Sequence, residues 1–167
     1  MTKYPPYRQV LENGDFIINH HPGQEKALFS KARFIAIQAG TQGGKTCFEP
    51  EWLYQEIGFK GEGDYLVGTA TFPLLELKLL PEFLYRFSTL ENLGKYQESK
   101  KIFQFHDGKT RILFFSATNP ESIESATAKA AVLDEAGQNQ FKRGTYEAVL
   151  RRLSLSQGRI QFSIRAA

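Results

Sequence analysis

The chain has 167 residues, including 14 phenylalanines and 7 tyrosines, and its 21 basic and 18 acidic side chains leave a formal net charge of +3. That length holds one domain with its own core and is too short for two of full size. A single cysteine, Cys47, excludes an internal disulfide and any multi-cysteine metal site. The mild positive charge is compatible with nucleic-acid contact without arguing for it.

Taken in chain order, residues 1–20 carry Pro5, Pro6 and an Asn13-Gly14-Asp15 turn and are expected to wrap over the edge of the domain. The opening Met1-Thr2-Lys3-Tyr4-Pro5-Pro6 lacks the pattern of a secretion signal, and no apolar stretch reaches the length of a membrane span. His21-Pro22-Gly23 leads into a helix near residues 24–29. An apolar run, Phe34-Ile35-Ala36-Ile37, predicts a strand over 33–39, and helical spacing resumes from Lys45 to Gly58, where Pro50 predicts a kink or a shifted first turn. Between them lies Ala39-Gly40-Thr41-Gln42-Gly43-Gly44-Lys45-Thr46. A glycine-rich turn followed by Lys and Thr, between a strand and a helix, is the phosphate-cradling P-loop arrangement.

The physics asks for those residue types. Glycines let backbone N–H groups converge on phosphate, the helix start adds its positive dipole end, Lys45 supplies a point charge and the Thr46 hydroxyl is an Mg²⁺ ligand. Gly40, Thr41, Gln42, Gly43, Gly44, Lys45, Thr46 and Cys47 are therefore the expected contacts of ATP, Cys47 also serving as a small residue packed in the first helical turn. Ala39 stands where the usual pattern begins with glycine, a small residue that still permits the turn.

A loop at Gly61-Glu62-Gly63 precedes a buried strand over Asp64–Thr69. Residues 72–87 carry leucines at helical spacing, interrupted near Pro81. Ile102–His106, the turn Asp107-Gly108-Lys109 and Thr110–Phe115 form a hairpin, its second arm joining the main sheet. Its phenylalanines (Phe103, Phe105, Phe114, Phe115) read as core. Residues 119–125 form a short helix or loop. Ala130-Ala131-Val132-Leu133-Asp134-Glu135 is an apolar strand ending in two carboxylates, which delivers Asp134 to Mg²⁺ and places Glu135 to polarise an attacking water. A helix over 141–153 and a strand over 159–164 complete the chain. The histidines His20, His21 and His106 show no metal-ligand spacing. Strand–helix alternation with one inserted hairpin gives an α/β fold with a mainly parallel central sheet flanked by helices, a P-loop NTPase of the additional-strand, RecA-like type.

With these motifs in place, the chain resembles the ATPase domain of the tailed-phage terminase large subunit, the motor that drives DNA into a capsid. His21-Pro22-Gly23-Gln24, the P-loop, Ala117–Ser122, Val132–Ala136 and Gln157–Ile160 carry the resemblance. It implies that Gln24 reads adenine through its amide, that Lys45 and Thr46 hold phosphate and Mg²⁺, that Asp134 completes the metal site and that Glu135 is the catalytic base. Thr69-Ala70-Thr71 falls where related motors couple nucleotide state to DNA. The implied partners are double-stranded DNA, a portal protein and a small terminase subunit, with assembly as a homo-oligomeric ring in the host cytoplasm.

Two departures stand out. Many terminases carry a P-loop arginine where Thr41 stands here, and the segment before the Asp-Glu strand supplies none. Arg143, Arg151, Arg152 and Arg159 remain as candidates for completing a neighbour's site, with surface charge the preferred reading. The last strand should run into a Ser/Thr-Thr-x-Pro segment, but the sequence ends Arg165-Ala166-Ala167, so the expectation is a truncated ATPase domain with no nuclease domain. A helicase-like translocase and a non-catalytic nucleotide-binding or assembly module remain as alternatives.

Overall fold

The computed structural model describes residues 5–166; the first four residues of the opening segment that lacks a secretion-signal pattern, and Ala167, lie outside them. The chain divides into two compact units, one up to Lys31 and one from Ala32 onward. In the first, β1 (Arg8–Val10) pairs antiparallel with β2 (Phe16–Ile18). The anticipated turn joins them: Gly14 takes φ +89° and Asn13 Oδ1 accepts from Asp15 N at 3.1 Å. The strands themselves, three residues each, are too short to carry a readable alternation. Helix α1 (Pro22–Phe29) follows, its first turn closed by a capping box. His21 Nδ1 accepts from Gly23 N at 3.1 Å, and Gln24 Oε1 accepts from His21 N at 3.0 Å.

The second unit is built on a seven-stranded sheet in the order β3–β9–β8–β4–β7–β6–β5. These are β3 (Phe34–Ala39), β4 (Asp64–Thr69), β5 (Gly94–Gln97), β6 (Ile102–Phe105), β7 (Arg111–Ser116), β8 (Ala128–Leu133) and β9 (Arg159–Arg165). From β3 to β7 every neighbouring pair is parallel; β6 and β5 are antiparallel additions. Strand β9 thus separates the P-loop strand from the Asp-Glu strand, as the additional-strand fold requires. The hairpin's second arm does enter the main sheet, beside β4. Strand β5, which pairs with the hairpin's first arm β6, was not expected, because Gly94-Lys95-Tyr96-Gln97 has only one apolar residue.

Alternation along the strands separates two faces. Leu66, Leu113, Phe115, Ala131, Leu133 and Ile160 pack on one side with Val149 and Leu153 at α5 (Arg143–Arg152). Helix α2 (Lys45–Lys60), with buried Phe48, Trp52 and Leu53, supplies the other side of the core. Pro50 leaves α2 continuous: it falls in the second turn, where the missing N–H affects only the first-turn carbonyl of Thr46. From Phe72 the chain stays helical to Leu90, with α turns α3 (Phe72–Leu74) and α4 (Leu80–Leu84) alternating with wider π turns at Leu75–Leu79 and Tyr85–Leu90. Pro81 is absorbed in the first turn of α4, directly after a π turn. Buried Arg86 secures this stretch to α2: its Nε donates to Glu51 Oε2 at 2.8 Å and its guanidinium stacks on Tyr54 at 4.0 Å. Phe103, Phe114 and Phe115 are buried, in keeping with the core reading, and Phe105 is half-buried. Among the described residues no helix is long and apolar enough to cross a membrane.

One tight approach in this core bears on the site. A Cβ on Gly68 would sit 2.4 Å from Phe115 Cζ, and the Gly68 carbonyl accepts from Asp134 N at 2.8 Å. Gly68→Ala is therefore expected to lower stability by about 1–3 kcal/mol. The measurement is the denaturant midpoint at unchanged slope; a midpoint equal to the wild type would mean that Phe115 moves aside without cost.

Candidate nucleotide site

The carboxyl ends of β3, β9 and β8 lie side by side, and the residues leaving them build a cleft. At the first, the turn closes with Gly43 N donating to Gly40 O at 3.0 Å. A side chain at Gly43 would meet Ala39 Cβ at 2.6 Å, and Gly44 enters α2 with φ +69°, so both positions call for glycine. The Lys45 ammonium folds back under the loop and donates to Ala39 O at 2.8 Å and Gly40 O at 3.0 Å, while Cys47 Sγ donates to Gly44 O at 3.2 Å. Lys45, Thr46 and Cys47 all line the cleft, as do Thr41, Gln42 and Gly44.

From β8 the chain delivers Asp134 and Glu135 to the same cleft. Asp134 is buried and its Oδ1 has no hydrogen-bond partner among the described residues. Burial, and then the negative charge of Glu135, push its carboxyl up to about 6. Glu135 adopts φ +52°, the left-handed region, which is uncommon and strained for a side chain of this kind. Behind Asp134 stands a carboxyl that the sequence reading missed. Glu49 of α2 is fully buried against Asp134 and Ser163, and neither of its oxygens completes a hydrogen bond. Burial first, and then the charge of Asp134, hold it well above the usual carboxylate range. The available signal was spacing, since Glu49 lies four residues after Lys45 and so on the same face of the helix.

The cleft has a volume of about 570 Å³, and Leu77, Lys78, Glu82 and Arg165 complete its lining. None of the four arginines singled out from the sequence lines it. Arg143 donates to Glu147 at 2.8 Å, Arg152 donates to the Glu124 carbonyl, Arg159 binds buried Glu56 at 2.5 Å, and Arg151 is exposed on α5. Gln24 is buried at the start of α1 in the first unit, its Oε1 occupied in the capping box. Thr71 of the expected coupling loop caps α3, its side chain accepting from Leu74 N. Among the described residues no cluster of three His, Cys, Asp or Glu side chains could hold a metal; the Thr46 hydroxyl and Asp134, the two expected ligands, both line the cleft, as do Glu82 and Glu135. That sparse set suits Mg²⁺, which is held by one or two protein groups together with substrate phosphate and water.

Parallel strands joined by helices, an intervening strand, and a glycine-rich loop facing an acidic strand end define a P-loop α/β protein of the additional-strand type. Solved structures narrow the comparison. The ATPase domain of the Thermus phage P74-26 large terminase superposes with a TM-score of 0.74 at 17% identity, over 88% of this chain and 65% of that one. The large terminase of a thermophilic bacteriophage gives 0.72 at 15% identity, over 86% of this chain and 38% of that one. The UvsW helicase of bacteriophage T4 gives 0.60 at 16% identity, over 87% and 52%. The fold is that of phage large terminase ATPase domains, and the chain spans less than two thirds of the length of either terminase structure. No family model and no curated protein matches the sequence.

Proposed function

We propose that this chain is an Mg²⁺-dependent ATPase that powers translocation of double-stranded DNA into a viral procapsid, as the ATPase part of a terminase large subunit. The observation that carries the reading is the meeting of Lys45, Thr46, Asp134 and Glu135 in one cleft, from segments far apart in the chain. The residues suit the ligands. Gly43, where a side chain would clash with Ala39, lets the loop close tightly below the cleft, and the buried Asp134 Oδ1 lacks a partner that a cation would supply. The thermophilic bacteriophage terminase also matches in forms carrying ADP and ATP-γ-S, which supports an adenine nucleotide as the ligand.

In this proposal the loop amides from Gly40 to Lys45 and the Lys45 ammonium hold the β- and γ-phosphates, and Gln24 contacts the adenine. Thr46 and Asp134 hold Mg²⁺, which when bound neutralises charge on the phosphate oxygens. Glu135 would orient a water and take its proton as the water oxygen attacks the γ-phosphorus in line, the bond to the bridging oxygen breaking and ADP leaving. The portal protein, a small terminase subunit, a ring of copies and the host cytoplasm belong to the same proposal. A helicase-like translocase is the second reading, favoured by the UvsW likeness and set behind the first by its lower TM-score.

The test is phosphate release from ATP by the purified chain, with and without excess EDTA. Release that requires Mg²⁺ supports the reading. Nucleotide binding without release would make the chain a binding module, and release indifferent to EDTA would remove the metal from the site.

A further inference from the structure

Strand β9 sits between the P-loop strand and the Asp-Glu strand, and its side chains alternate sharply. Ile160, Phe162 and Ile164 belong to the apolar core on one face. Gln161, Ser163 and Arg165 fall on the other, the face of Glu49 and Asp134. Gln161 and Ser163 are fully buried and joined by a 2.8 Å hydrogen bond from Gln161 Nε2 to Ser163 Oγ. Burying this polar row costs free energy that its one internal hydrogen bond offsets only in part, Gln161 Oε1 being without a partner among the described residues. The last member of the row is Arg165.

The backbone fixes where that residue emerges. Arg165 pairs in register with Ala39, the residue before the P-loop turn, and Ala166 N donates to Ala39 O at 3.0 Å. On the other flank Ala136 N donates to Ser163 O at 2.9 Å. The guanidinium therefore opens into the cleft between Lys45 and the Asp134–Glu135 tip. Glu82, Asp134 and Glu135 line the same cleft, yet among the described residues the Arg165 side chain makes no hydrogen bond or ion pair. A surface arginine placed for its own solubility or packing would not need this position. A planar donor set kept free beside a lysine and a glycine loop suits a second phosphate group.

We propose that Arg165 is this chain's own γ-phosphate contact: it distinguishes a nucleoside triphosphate from a diphosphate within one subunit and compensates charge that Lys45 alone leaves unbalanced. The proposal rests on the nucleotide reading above. It fills the role for which Thr41 offers no arginine, and it does so from the strand between the two nucleotide motifs.

The experiment is calorimetric titration of the whole chain with ATP-γ-S and with ADP, in Mg²⁺, for the wild type, Arg165→Ala and Arg165→Lys. The wild type should prefer ATP-γ-S. Arg165→Ala should lose about tenfold or more of its ATP-γ-S affinity with ADP affinity unchanged, and Arg165→Lys should recover part of the loss. Because Arg165 is exposed, the variants keep the wild-type melting profile. ADP binding with an unchanged ATP-γ-S to ADP ratio in Arg165→Ala overturns this proposal alone. A wild type that binds neither nucleotide overturns the nucleotide reading, and this proposal with it.

Discussion

Replacing Glu135 by glutamine is expected to stop phosphate release while nucleotide stays bound. An amide of the same shape fills the same space in the cleft but cannot take a proton from water. General-base contributions of this kind are on the order of 10²–10⁴ in rate, so single-turnover phosphate release should fall by at least the lower figure. The local geometry makes glutamine the fair substitution. Glu135 is held at φ +52°, and Gln138 Nε2 stands 3.5 Å from its Oε2, a contact an amide oxygen can keep. A glycine variant separates chemistry from backbone strain. Glu135→Gly should be as inactive as the glutamine variant, yet more stable by roughly 1–2 kcal/mol, because glycine adopts the left-handed region without penalty. Phosphate release equal to the wild type in both variants would put the base elsewhere in the cleft.

Most of the sheet was legible because its strands are buried on both faces and read as uninterrupted apolar runs. Tyr65-Leu66-Val67, Ile112-Leu113-Phe114-Phe115 and Ala130-Ala131-Val132-Leu133 are of this kind. Turn chemistry located the hairpin, where Asp107 Oδ1 accepts from the amides of Lys109 and Thr110 at 2.8 Å. Strands β1, β2 and β5 escaped notice because a segment of three or four residues gives too few side chains to establish a period. The helix over 72–90 kept its leucine spacing, but sequence spacing does not reveal the π turns at Leu75–Leu79 and Tyr85–Leu90, where hydrogen bonds shift from i→i−4 to i→i−5.

The cleft was half legible. The loop and the Asp-Glu tip announce themselves by local chemistry, glycines before Lys-Thr and carboxylates after an apolar run. Glu49 and Arg165 carry no such local mark. Glu49 resembles any helical glutamate until the sheet covers it. Arg165 resembles any strand-end charge until the register of β9 against β3 sets it beside Ala39. Their significance comes from sequence separation being erased by a parallel sheet, which one chain read alone does not display. The polar alternation Gln161, Ser163, Arg165 was the available clue, since a strand between two others in the sheet ordinarily carries apolar residues on both faces.

The paired carboxyls Glu49 and Asp134 predict an inverted pH dependence for the nucleotide-free protein. A carboxyl whose value is raised on folding stabilises the fold fully below its unfolded value and loses that contribution as pH climbs through the folded one. For Asp134 the window runs from the ordinary 3.8 upward through about 6, and Glu49 shifts in the same direction. The free protein should therefore be more stable near pH 5 than near pH 8. The whole Asp134 window corresponds to about 3 kcal/mol at most, of which roughly half falls between pH 5 and pH 8, shared between two groups that repel each other. Glu49→Gln removes one of the charges with little change in volume. It should raise the melting temperature at pH 8, leave it nearly unchanged at pH 5, and flatten the profile between them. The same variant should hold Mg²⁺-nucleotide less tightly, because a carboxyl that could give up its proton in the field of a bound cation is gone. Stability and function thus oppose each other at this position, as expected where a fold tolerates an uncompensated carboxyl for the sake of a ligand. Identical melting profiles for the wild type and Glu49→Gln across this range would show that the pair carries no net charge strain, and that Glu49 is a buried neutral residue with a packing role.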